Sequence, residues 1–152
     1  MRIVILGVGN DLRGDDAVGI KVAEKIKEWA EKNQEKDILV IATHVPENHV
    51  ADVIKFAPRK VIVVDTADFM GKPGEFVVLS EDKISEFSPT THNISLKMLA
   101  KVIKKECILS NPIFTFVLIQ PKNIGFGEPM SSEVKSSIDT VTELVKNLIT
   151  QI

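Results

Sequence analysis

The chain has 152 residues, 44% of them apolar and 26% charged, which suits one domain with a real hydrophobic core. Lys and Arg number 19 against 21 Asp and Glu, and the net charge of −2 argues against a nucleic-acid binder. One Cys excludes an intrachain disulfide and a multi-thiolate metal site, and no apolar stretch reaches the roughly 20 residues of a membrane span. The N-terminus lacks the pattern of a signal peptide, so the expectation is a soluble cytoplasmic protein.

Arg2 to Leu6 is a short continuous apolar run closed by Gly7, as in a strand buried on both faces. Ala17, Ile20, Ala23, Ile26 and Ala30 then recur at helical spacing. They predict a helix over residues 16–31 with Asp15 or Asp16 at its N-cap. Ile38 to Thr43 repeats the strand signal. Val50, Ile54 and Ala57 mark a short helix stopped by Pro58. Lys60 to Asp65 is the clearest buried strand, and this alternation is the signature of an α/β fold with right-handed crossovers.

Only about ten residues separate Asp65 from Phe76, too few for a helical crossover. Phe76 to Leu79 is therefore expected as an antiparallel edge strand. A helix follows near residues 94–105, then a strand from Ile113 to Ile119. A last helix begins after Pro129 and Ser131 and carries Val134, Ile138, Val141, Val145 and Leu148 on one face. There is no repeat and no linker. The expected fold is a single three-layer α/β domain over residues 1–152. Its sheet is five-stranded, twisted and mostly parallel, with one antiparallel edge strand and helices on both faces.

Gly7-x-Gly9 after the first strand invites a dinucleotide-binding reading. That fingerprint needs a third Gly where Leu12 stands, and an acidic residue after the second strand where the chain reads Thr43-His44-Val45. No Gly-Lys-Ser/Thr follows, so the phosphate-loop pattern fails too. The bland reading of Gly7 and Gly9 is that they permit a tight turn. Asp15 and Asp16 exceed what a helix N-cap requires, and in open α/β sheets this edge of the sheet is where ligands bind.

Gly7-x-Gly9-Asn10 followed by Gly14-Asp15-Asp16-x-x-Gly19 resembles the N-terminal motif of the nickel–iron hydrogenase maturation endopeptidases. The resemblance continues in order through Ala57-Pro58, Val64-Asp65-Thr66-Ala67-Asp68 and Pro73-Gly74-Glu75. It runs on through Thr90-Thr91-His92-Asn93, Ile119-Gln120-Pro121, Gly125-Phe126 and Pro129-Met130. Each motif is short, but the ordered set spans nearly the whole chain. Pro46-Glu47-Asn48, Thr-Thr-His-Asn and Ile-Gln-Pro look most like the branch serving formate-hydrogenlyase complexes.

The resemblance implies an endopeptidase that removes the C-terminal extension of a hydrogenase large subunit. It implies that Asp16, Asp65 and His92 bind nickel already installed in that precursor and carry the catalysis, so the metal comes with the substrate. Some family members have Glu at the position of Asp16, and a shorter Asp must reach further.

The residues support this trio by themselves, though less sharply. Asp65 ends a strand of four apolar residues, where a carboxylate is either partnered or functional, since burying it alone costs several kcal/mol. Capping the following turn is the bland alternative. His92 lies in a Thr-, Pro- and Asn-rich loop, where a lone histidine is most often a surface residue. Imidazole with carboxylates suits nickel or zinc.

His44 also follows a strand, whereas His49 opens a polar helix and is expected to be solvated. Cys107 has no Cys–His context and reads as structural. Asp68 is expected to order its loop through backbone hydrogen bonds. No Gly-x-Ser-x-Gly elbow, no His-Glu-x-x-His and no internal repeat support other hydrolase routes. Alternatives are a small nucleotide- or metal-binding α/β module, or a metallopeptidase carrying its own metal. No exposed apolar stripe is evident, so a monomer is expected that meets its precursor transiently, with no nucleic acid or membrane as partner.

Overall fold

The computed structural model describes residues 1–86 and 95–151. Strand β1 (Ile3–Val8) is buried along its whole length and pairs in parallel with both β2 (Ile38–Thr43) and β3 (Lys60–Thr66). Strand β5 (Ile113–Ile119) continues the sheet in parallel beyond β3, and β4 (Phe76–Ser80) closes it antiparallel to β5. The order is β2-β1-β3-β5-β4. The expected mixed sheet with one antiparallel edge strand is therefore present. The short connection from β3 leads to β4 past the position where β5 later inserts.

Helices cover both faces because consecutive residues of a buried strand point to opposite sides. Ile5, Ile62, Val64 and Val117 pack with Val18, Val22 and Ile26 of α1 (Val18–Lys32) and with Val134, Val141 and Val145 of α4 (Ser132–Thr150). On the other face Val4, Leu6, Val61, Val63 and Phe116 meet Val53 of α2 (Val50–Phe56) and Leu96, Leu99 and Ile103 of α3 (Leu96–Glu106). Ser131 and Ser95 cap α4 and α3, accepting hydrogen bonds from Val134 and Met98. Among the described residues no helix is long and apolar enough to cross a membrane.

Three expectations need correction. Helix α1 begins at Val18, and neither Asp15 nor Asp16 caps it; both lie in a preceding 3₁₀ turn, Gly14–Ala17, and their carboxylates are engaged elsewhere. Strand β3 runs one residue further than expected, so Thr66, not Asp65, ends it. Gly7 and Gly9 are not in turn-specific conformations, as neither has positive φ. Gly7 is needed for contact: a Cβ there would lie 2.3 Å from the Gly19 carbonyl oxygen and 2.5 Å from Ala23 Cβ. Glycine at 7 and 19 lets α1 lie directly on the sheet. Gly9 likewise lies against backbone, since a Cβ there would be 1.9 Å from the Asp16 carbonyl oxygen.

Candidate active site

The strand order reverses direction between β1 and β3, since β2 lies outward of β1 on one side and β3 on the other. In open α/β sheets such a switch point opens a crevice beyond the carboxyl ends of the strands. Asp16 follows β1 and Asp65 is the penultimate residue of β3, so both belong to this edge of the sheet. Both are fully buried. Thr66 ties them together: its hydroxyl donates to Asp16 Oδ1 at 2.8 Å, while its backbone N–H donates to Asp65 Oδ1 at 2.7 Å.

Strand alternation explains how one residue serves two carboxylates. Val61 and Val63 belong to the α2–α3 face, which assigns Asp65 to that side, whereas Thr66 follows Ile62 and Val64 to the α1–α4 side. The turn leading into α1 brings Asp16 to the Thr66 hydroxyl. Thr66 was not singled out in the sequence. Its signal was its place directly after the strand-end Asp, where an alternating strand turns it toward the opposite layer.

Asp15, adjacent to Asp16 and equally buried, does something different. Its carboxylate accepts backbone N–H groups of Lys122, Asn123 and Ser131 at 2.8, 2.8 and 2.6 Å, and the Ser131 hydroxyl at 2.8 Å. It thereby ties the turn after β1 to the connection from β5 to α4. The Asp15 N–H donates to the Asn123 carbonyl, and Arg13 Nε donates to that of Ile124. Gly14 sits at φ +55°, and a Cβ there would meet the Asn123 oxygen at 2.3 Å. The Gly-Asp pair is thus a structural latch that fixes the position of Asp16.

The loop after β3 is held in the same manner. Gln120, buried at the end of β5, accepts from the N–H groups of Phe69 and Gly71 and donates to Asp68 Oδ1. Asp68 also accepts from the Met70 N–H at 2.9 Å, so it orders this loop as expected. Lys122 and Glu133 form an ion pair at 2.9 Å beside the Asp15 latch, and this pairing holds the Glu133 carboxyl down to about 2.

His92 lies outside the described residues. Among the described residues no group of three or more His, Cys, Asp and Glu side chains is placed to hold a metal. His44 is exposed, and His49 is half-buried with Nδ1 3.7 Å from Asp52. Cys107 is buried at the end of α3, and burial raises its thiol above the usual range, in keeping with a structural role.

Comparison with known proteins shows the family of the chain. Residues 20–148 match the HycI family model, described as hydrogenase maturation protease. The hydrogenase 3 maturation protease of Escherichia coli K12 is 33% identical over 142 residues, covering 93% of this chain and 86% of that protein. The crystal structure of a [NiFe] hydrogenase maturation protease HycI from Thermococcus kodakarensis superposes with a TM-score of 0.84 at 32% identity. It covers 99% of this chain and 93% of its own. The solution structure of the endopeptidase HycI from Escherichia coli gives 0.80 at 31% identity, covering 97% and 90%.

Proposed function

Because the chain belongs to the hydrogenase maturation protease family, we propose that it removes the C-terminal extension of a nickel-loaded [NiFe] hydrogenase large subunit. Asp16, Asp65 and His92 recognise the nickel, which arrives bound to the precursor and is not held permanently. The juxtaposition of Asp16 and Asp65 at the switch point, both buried and linked through Thr66, is the observation that carries this reading.

Two carboxylates in a low-dielectric crevice carry a desolvation cost that a divalent cation offsets. Carboxylate and imidazole donors also suit nickel. His92 precedes Ser95, the N-cap of α3, by three residues. A helix that feeds a parallel strand starts at the edge where the neighbouring strands end, which is the edge of the two carboxylates.

The reaction is amide hydrolysis, with water adding to the scissile carbonyl and the amine leaving with a proton. Nickel in the precursor supplies Lewis acidity to the carbonyl or to the attacking water. The chain contributes position: Thr66 orients both carboxylates, and the Asp15 and Gln120 networks fix the loops around them. The protein acts as a monomer in the cytoplasm and releases the processed subunit.

Incubation with a C-terminally extended large subunit, nickel-loaded or nickel-free, followed by intact-mass spectrometry, tests this function. Truncation of the loaded form alone is expected. Equal truncation of the nickel-free form overturns recognition through nickel, and intact precursor in both arms overturns the proposed activity.

A further inference from the structure

No apolar stripe is evident in the sequence, yet the structure exposes three large apolar residues at one end of the sheet. Leu12, Met70 and Phe126 are 61%, 94% and 75% exposed, and they lie on the loops that follow β1, β3 and β5, the three adjacent central strands. These same loops carry or brace Asp16 and Asp65. The first and third are joined directly, because the Gly127 N–H donates to the Leu12 carbonyl at 2.7 Å. Ile108, Leu109 and Ile113 are exposed at the opposite edge, where β5 begins, and Met1, Val78, Met98 and Val102 are exposed elsewhere.

Met70 is the informative member. It sits at φ +63°, a left-handed conformation that is unfavourable for a non-glycine residue. Three hydrogen bonds hold it there, from the N–H groups of Phe69 and Gly71 to Gln120 and from its own N–H to Asp68. Nothing in the fold uses the side chain so presented, since it is almost fully exposed. A strained backbone, braced from a buried glutamine and displaying an apolar side chain on the loop that follows Asp65 and β3, points to a contact made with another molecule.

We infer that Leu12, Met70 and Phe126 form the docking surface for the precursor polypeptide, gripping apolar side chains of the segment beside the scissile bond. This rests on the proposed peptidase reading. An endopeptidase must hold chain on either side of its reacting centre, and these three residues lie on loops at the same sheet edge as the two carboxylates. Flexible Met and a flat Phe ring are suited to such contacts. A second copy of the protein as occupant would leave the crevice covered and the precursor excluded.

The test compares processing of the nickel-loaded precursor by wild type, L12S/M70S/F126S, Met70→Gly and an I108S/L109S control. The triple variant should raise KM about tenfold or more with kcat within about twofold and an unchanged thermal midpoint. Met70→Gly relieves the left-handed strain, so it should keep or raise the thermal midpoint and yet raise KM. A merely structural loop would not separate the two. The control should process like wild type.

Wild type that cleaves while the triple variant matches its KM overturns the docking surface and leaves the proposed function standing. Wild type that cleaves no precursor overturns the proposed function and this inference with it. A wild-type dimer in sedimentation that the triple variant abolishes, with processing unchanged, assigns the surface to a second copy and overturns the inference.

Discussion

Asp15 and Asp16 are neighbours in one 3₁₀ turn, both fully buried, yet they belong to different machines. Asp15 faces a ring of donors, three backbone N–H groups and one hydroxyl, which its acceptor-only carboxylate satisfies. Asp16 meets the Thr66 hydroxyl at the end of β3, and the N–H of the same threonine donates to the buried Asp65. One acid joins the turn after β1 to the connection from β5 to α4, and the other joins that turn to the end of β3. The first arrangement predicts a role in stability, and the proposed function gives the second a role in chemistry.

Substituting Asp15 should produce the largest loss of stability. Asp15→Ala orphans buried N–H donors at the β5–α4 connection, and urea unfolding should show a loss of roughly 3–5 kcal/mol. A variant within 1 kcal/mol of wild type would erase the contrast between the two acids.

Asp16→Asn should invert this pattern. Asn keeps an oxygen that can accept from Thr66, so the stability should differ by less than about 1 kcal/mol. Precursor processing should nonetheless be abolished, because the negative charge is gone. His92→Ala should likewise stop processing. A folded, fully active Asp16→Asn protein removes Asp16 from the reaction.

The smallest effect concerns the Lys122–Glu133 pair beside the latch. The folded carboxyl of Glu133 sits near 2 against an ordinary 4.5, so its contribution is fully present above about 4.5 and is lost as the pH falls toward 2. Thermal midpoints measured across that window should fall less steeply for Glu133→Gln than for wild type. Because the pair is solvent-exposed, added salt should shrink the difference. Identical acid profiles would show that the latch draws its strength from Asp15 alone.

Much of this protein was written locally. Apolar runs buried on both faces marked β1, β3 and β5, and the ten-residue gap after Asp65 forced an antiparallel β4, because periodicity and connection length are properties of nearby residues. The ordered motifs carried the family, and they pointed to Asp16 and Asp65, which the structure shows buried and both hydrogen-bonded to Thr66. Local spacing was misleading where a side chain had a distant partner. Asp15 and Asp16 looked like helix caps, but Asp15 reaches Ser131, 116 residues on, and Asp16 reaches Thr66, 50 residues on. Gly7 looked like a turn residue, but what requires it is the backbone of Gly19 pressed against the strand. The insertion of β5 between β3 and β4, which puts Gln120 beneath the Met70 loop, was equally invisible. Sequence fixes what each segment prefers to be. Only packing decides which two segments share a donor, because that depends on how separate strands and helices stack.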